Sequence, residues 1–171
     1  DTDLDVIAAG SWTPRIVRWM PEGIGVSANF APGANVAVLT PFWVDTPTTV
    51  SKIVVDIQTS SGNLDVGIYD DDGASGAPST RLVSAGSTAS PGTGWRGITV
   101  GSTVLAPGRY WAAFAADNGT IAIFYGNYLA TQAGGIKLHF SKTTSFPLPS
   151  SISSPTEVTN FMAYAIVPFG S

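Results

Sequence analysis

One histidine and a dozen carboxylates are the residues of this sequence that could support hydrolysis. A hydrolytic triad needs a base, and the only histidine, His139, lies in a stretch whose pattern predicts a β-strand. No G-x-S-x-G nucleophile elbow accompanies it. A lone strand histidine is more typical of a surface or packing residue than of a catalytic base, so the sequence does not favour triad chemistry.

Glycoside hydrolysis would instead need a pair of carboxylates. The chain has two glutamates, Glu22 and Glu157, and both lie outside the strong strand patterns. A pair among the aspartates stays open, although most of them have the setting of turns or solvated strand faces: Asp56, Asp65, Asp70, Asp71, Asp72 and Asp117. We therefore predict that the protein is not an enzyme, and a carboxylate hydrolase is the least favoured hypothesis.

The run Asp70-Asp71-Asp72-Gly73 could hold a calcium ion, because hard cations prefer clustered oxygen ligands. The run lacks the ligand spacing and the terminal glutamate of an EF-hand loop. Aspartate and glycine are also the residues that tight loops favour. We predict no cofactor, and a structural Ca²⁺ held by Asp70 and Asp72 is the alternative.

Aromatic side chains offer a different chemistry, because rings on a rigid sheet can stack on sugar faces while nearby polar groups bind the hydroxyls. Most large rings are expected in the core. Tyr69 falls on the polar side of its strand beside Asp65, and Tyr125 and Tyr128 flank a Gly-Asn pair at a strand end. These four residues are the predicted ligand-binding candidates, since loop tips and strand ends often carry function.

Composition limits the class of protein. The 171 residues are 44% hydrophobic and only 12% charged, with a net charge of −4 and no cysteine. The scattered basic residues give no footprint for nucleic acid or an anionic membrane surface, and no apolar run is long enough to cross a bilayer. We expect neither nucleic acid nor membrane as a partner. Disulfides are excluded, so stability must come from packing or assembly.

Short alternating runs separated by glycine, proline and asparagine predict eight to nine β-strands and no helix of useful length. In Ser51 to Ser60 the residues Ile53, Val55 and Ile57 share one face. We expect this run to form a hairpin with Leu64 to Asp70, and Asn118-Gly119 to form a second hairpin. The predicted fold is all-β: a two-sheet antiparallel sandwich, a jelly roll or related Greek key.

The two ends of the chain carry apolar residues that need cover. Residues 1–33 are predicted to be an irregular arm that packs on its own domain or on a neighbouring subunit, and residues 34–171 to be the sandwich. The run from Phe161 to Val167 is apolar on both faces, as in a central strand or a subunit contact. The predicted assembly residues are Trp12, Trp19, Met20, Phe161 and Met162.

The segments LDVGIYDDDGASGAPSTRLVSAGS and VLAPGRYWAAFAADNGT together resemble a pattern of jelly-roll domains in tailed-phage virion proteins. The resemblance covers about Ser51 to Tyr125. Similar sandwiches occur in tail fibres, receptor-binding tips, capsid decoration proteins and carbohydrate-binding modules, so the resemblance reports on fold more than on role. It implies a virion or extracellular location.

Two functional hypotheses follow. The first is a structural virion protein, a decoration or tail-associated subunit, that contacts other virion subunits and itself forms a homo-oligomer, with a trimer as the first expectation. The second is a carbohydrate-binding module or receptor-binding tip that recognises a surface glycan. Sugar binding by isolated subunits favours the second, and a concentration-dependent oligomer without sugar affinity favours the first.

Overall fold

The computed structural model of the protein describes residues 27–126, 139–158, 162–163 and 165–166. The described residues contain β-strands and no helix, so no helix in them could span a membrane. The thirteen strands are β1 (Ser27–Phe30), β2 (Val36–Val44), β3 (Thr48–Thr59), β4 (Asn63–Asp70), β5 (Arg81–Ser84), β6 (Thr88–Ala89), β7 (Gly94–Leu105), β8 (Gly108–Ala116), β9 (Ala122–Gly126), β10 (Phe140–Thr143), β11 (Thr156–Glu157), β12 (Met162–Ala163) and β13 (Ala165–Ile166).

The strands form two antiparallel sheets. Sheet B has the order β11-β10-β2-β8-β4-β5, with β6 also paired to β4. Sheet A has the path β1-β9-β3-β13, with β7 paired to β3 and β12 paired to β9. All paired strands described in both sheets are antiparallel. The predicted all-β, two-sheet antiparallel sandwich is confirmed.

The main core lies between the sheets and follows the alternation of the strands. Ile53, Val55 and Ile57 of β3 are fully buried, whereas Lys52, the residue directly before Ile53, is exposed. Val66 of β4 and Phe114 of β8 face them from sheet B within the same apolar cluster. Because side chains alternate between the faces of a strand, this burial fixes the register of both sheets.

A second apolar cluster covers the outer face of sheet B. The odd-numbered residues of β8, including Trp111 and Ala113, point to this face and pack against Phe140, Leu148 and Ile152. The last two belong to residues 144–155, a segment without a long strand that we call the strap. Sheet B is therefore buried on both faces, between sheet A and the strap.

Both predicted hairpins are wrong, because the chain changes sheets at each turn. β3 lies in sheet A and β4 in sheet B, and likewise β8 lies in sheet B and β9 in sheet A. A type I′ hairpin needs positive φ at both turn residues, and neither Asn118 nor Gly119 has it. Instead, the Asn118 side-chain oxygen accepts the backbone N–H groups of Thr120 and Ile121, which makes a corner between the sheets.

The boundary of the predicted arm also needs correction. Residues 27–30 were expected to be irregular but form β1, which pairs with β9 from Ser27 opposite Gly126 to Phe30 opposite Ile123. Pairing with the sheet supplies partners to the backbone polar groups that an irregular segment would leave to water. Residues 1–26 of the predicted arm, including Trp12, Trp19 and Met20, lie outside the described residues.

Candidate functional site

Tyr69, the leading ligand-binding candidate, is fully buried, so its predicted exposure is wrong. Its strand has polar and aromatic residues on one face, a pattern typical of a solvated face. That face is covered by the strap, and the Tyr69 hydroxyl donates a hydrogen bond to the Pro149 carbonyl at 2.6 Å. Burial raises the pKa of Tyr69 well above its ordinary value. The ring therefore fastens the strap to sheet B.

Asp65 lies four residues earlier on the same face of β4 and is also fully buried. Its predicted role as a ligand-binding carboxylate beside an exposed Tyr69 ring required a solvated face, and the strap covers that face. Its Oδ2 atom accepts the backbone N–H of Leu148 at 3.0 Å. The Arg81 guanidinium binds the Leu148 carbonyl. Burial raises the pKa of Asp65, against the lowering effects of hydrogen bonds from Leu148 and Gly86 and of the Arg81 charge. Asp65 and Tyr69 thus act together on one segment of the strap.

The remaining predicted residues lie partly or wholly outside the described part of the chain. Tyr125 belongs to β9, where its backbone pairs with Ala28 and Ala163, but its side chain is not described. The same holds for Met162 in β12. Tyr128 and Phe161 lie outside the described residues. Their predicted roles in ligand binding and assembly stay predictions.

The acidic loop after β4 directs its three carboxylates to different protein partners. Both Asp72 oxygens accept hydrogen bonds from Thr80, at 2.9 Å from the backbone N–H and at 2.5 Å from the hydroxyl. These bonds lower the pKa of Asp72. Asp70 Oδ1 accepts the Asp71 N–H at 2.8 Å. Among the described residues no three acidic, histidine or cysteine side chains gather as a metal site, and calcium at Asp70 and Asp72 stays an untested alternative.

His139 is 1% exposed and lies directly before β10. Its backbone carbonyl accepts the N–H of Val158 at 3.1 Å, while its Nδ1 is buried without a hydrogen-bond partner among the described residues. Burial lowers the pKa of His139 to about 4. The imidazole is therefore neutral at physiological pH and packed inside the protein, away from solvent.

A cluster of two tryptophans, an arginine and an aspartate lies on the outer face of sheet B, where Trp43 of β2 is opposite Arg109 of β8. We call Trp43, Arg109, Trp111 and Asp71 the rim cluster. The Arg109 guanidinium carbon lies 4.5 Å from the Trp111 ring centroid and 5.6 Å from that of Trp43. Asp71 accepts the Trp111 indole N–H at 2.6 Å and lies 3.8 Å from Arg109 Nη1. Trp43 is half-buried, which leaves part of its ring available to a ligand.

A different surface carries the exposed apolar side chains. We call the side of the sandwich formed by β5 and β7 the open side. Its two strands lie together, since a Cβ on Gly101 would be 3.5 Å from a Val83 methyl group. The three large apolar side chains that are exposed in the described residues all belong to these two strands: Leu82 (37%), Trp95 (43%) and Val104 (69%). The sequence patterns identified neither this surface nor the rim cluster, because each depends on which sheet receives each strand.

Comparisons with protein-family models, with curated proteins and with solved structures found no match for this chain.

Proposed function

We propose that this chain is a non-enzymatic structural subunit of a phage virion, a decoration or tail-associated protein that assembles through protein–protein contacts. The sequence resemblance over about Ser51 to Tyr125 supports the virion setting. The proposal places the protein on the virion or outside the cell, among other virion subunits and further copies of itself.

The acidic and histidine side chains that could catalyse a reaction instead contact other parts of the fold, which supports a structural role. Asp65 binds the strap, Asp71 binds Trp111, and His139 is packed in the interior. A general acid or base must reach the proton that it transfers. Each of these groups already serves the fold, and Asp65 and His139 have no exposed surface to offer a substrate.

The open side is the observation that carries the assembly proposal. Within the described residues β5 and β7 each end a sheet on the same side of the sandwich, and edges of this kind can bind a partner's strand through backbone hydrogen bonds. The three large exposed apolar side chains belong to these two strands, with Trp95 near one end of β7 and Val104 near the other. Sedimentation equilibrium of the purified chain tests the proposal. We expect a discrete oligomer whose population rises with concentration, and a monomer at every concentration would contradict it.

A carbohydrate-binding role is the second candidate, and the half-buried Trp43 of the rim cluster favours it. The Trp43 indole, the Arg109 guanidinium over it and the Asp71 carboxylate 3.8 Å from Arg109 together offer a ring and hydrogen-bonding groups, the chemistry that binds a sugar ring. A glycan array on the wild-type chain, with Trp43→Ala as the matched control, tests this role. Binding that is lost in the variant would favour glycan recognition. A wild-type chain that binds no glycan on the array would contradict the carbohydrate-binding role.

A further inference from the structure

We infer that the outer face of sheet A carries a carbohydrate-binding site built around the exposed Trp95 indole, separate from the rim cluster. This inference goes beyond the proposed structural role, because it gives the chain a ligand of its own. The ligand class is a glycan of uncharged hexose units. We call the residues of the site the indole platform: Trp95, Gly97 and Thr99 of β7, with Lys52, Asp56 and Gln58 of β3.

Strand alternation places these side chains on the side of sheet A that faces away from the core. Val55 and Ile57 of β3 are fully buried in the core, so Asp56 between them points outward. Asp56 lies directly opposite Trp95 in the register of β3 with β7. The Cβ atoms of such cross-strand partners lie about 5 Å apart on one face of a sheet. The indole, which is 43% exposed, therefore stands beside a carboxylate.

The carboxylate of this pair is oriented by its own strand. Gln58 follows Asp56 on the same face of β3, and its Nε2 donates a hydrogen bond to Asp56 Oδ1 at 2.8 Å. Both side chains are half-buried, which restricts their motion. The bond leaves Asp56 Oδ2 and Gln58 Oε1 as acceptors for the hydroxyls of a ligand. A few fixed polar groups beside a ring are what orients a small ligand on a protein.

A missing side chain next to the indole makes room for the ligand. Gly97 follows Trp95 on the same face and is exposed, and a Cβ added there would approach the Lys52 Cδ, at 3.8 Å. The aliphatic part of Lys52 therefore lines the far side of the gap. Thr99 is exposed opposite Lys52 and adds a hydroxyl. The platform is thus a shallow notch between an indole and carboxylate at one end and an amine and hydroxyl at the other.

The polar neighbours of the indole favour a sugar over a protein partner on this face. The centres of protein interfaces are depleted of charged residues, whereas Trp95 is bordered by Asp56 and the notch ends at Lys52. The negative charge of Asp56 beside the ring would repel an acidic sugar stacked there, and an uncharged hexose meets no such repulsion. Pairing of another chain with the β7 edge would use backbone groups in the plane of the sheet and leave this face free.

Biolayer interferometry on immobilised neutral oligosaccharides tests the inference. The probes are glucan, mannan, galactan and N-acetylglucosamine oligomers, and the chain is kept at concentrations at which sedimentation equilibrium shows a monomer. We expect at least one probe to bind the wild type, and Trp95→Ala to raise its dissociation constant about tenfold or more, because the stacking surface is lost. Gly97→Val should weaken binding by a similar factor, because it fills the notch while suiting a strand.

Trp43→Ala is the matched control, since it removes a partly exposed indole from the other sheet and should leave binding unchanged. Circular dichroism establishes that each variant is folded. Loss of binding in Trp95→Ala and Gly97→Val with retention in Trp43→Ala supports the indole platform. Retention of binding in either Trp95→Ala or Gly97→Val overturns it. A wild-type chain that binds none of the probes also overturns it and leaves the assembly proposal standing.

Discussion

The Oδ2 atom of Asp65 accepts the backbone N–H of Leu148 across 83 positions of sequence, at a distance of 3.0 Å. This bond joins the outer face of β4 to the strap, and the Tyr69 hydroxyl adds a second bond one residue further along. The outer face of sheet B would otherwise expose an apolar surface that includes Trp111 and Leu39. The strap therefore converts a sheet with one solvated face into a layer buried on both sides.

Replacing Asp65 with alanine should loosen the strap. The Leu148 N–H would lose its acceptor while still buried, and an orphaned buried donor costs about 1–3 kcal/mol of stability. Asp65→Asn should lose less, because one side-chain oxygen remains. Denaturant unfolding measures the loss, and hydrogen exchange at Leu148 locates it, with Asp45→Ala in an exposed loop as control. Equal exchange at Leu148 in the wild type and Asp65→Ala would show that the bond does not hold the strap.

His139 should make the protein sensitive to mild acid. Its pKa is about 4 in the folded protein, because burial disfavours the charged ring, against about 6.5 when unfolded. The unfolded state then binds the proton more readily. The full contribution to stability is present above about pH 6.5 and is lost as the pH falls towards 4, by about 3 kcal/mol in total. Denaturant unfolding of the wild type and His139→Gln across this range measures it, and parallel pH profiles would contradict the assignment.

Gly62 should tolerate no side chain, because it adopts a φ of +53° beside the corner between the sheets. A Cβ there would collide with the Asn118 amide and lie 2.5 Å from Asp117 Oδ1, whose carboxylate binds Asn63. Gly86 is a matched control, since its φ is +73° and a Cβ would meet no atom within 4 Å.

In thermal unfolding we expect Gly86→Ala to lose about 1 kcal/mol from left-handed strain alone. Gly62→Ala should lose clearly more, because the corner must also rearrange. Similar losses at the two positions would show that the corner adapts freely to an added methyl group.

Calcium should not stabilise the acidic loop. Both Asp72 oxygens already accept hydrogen bonds from Thr80, and the Asp71 carboxylate binds Trp111. A cation would have to replace these contacts, and a ligand stabilises a fold only by binding it. We expect the same Tm in millimolar calcium and in chelator. A rise in Tm with calcium that disappears in Asp72→Asn would instead establish a cation site.

The sequence predicts correctly those features that depend on the alternation of residues within one strand. Alternation identified Ile53, Val55 and Ile57 as one buried face, and the spacing of the strands identified a two-sheet sandwich. These features depend on neighbouring residues and the period of a strand. Local patterns say less about which sheet receives the next strand, so the turns at Gly62 and Asn118 were mistaken for hairpins.

The candidate site was predicted poorly because its environment comes from distant parts of the chain. Asp65 and Tyr69 have the alternation of a solvated face, and only the strap some 80 residues later covers them. The open side was missed for a different reason: β5 and β7 are near in sequence, but they end different sheets on the same side of the sandwich. Sequence period cannot report contacts of this kind.

Hydrogen exchange in β7 as a function of protein concentration tests most directly whether the open side is an assembly surface. The account predicts that the amides between Gly94 and Thr99 that do not already bond to β3 become protected as the oligomer forms, since the contact then shields them from solvent. Amides of the buried β8 should not change over the same range. Oligomers that form while the β7 amides exchange as fast as in the dilute chain would contradict the account.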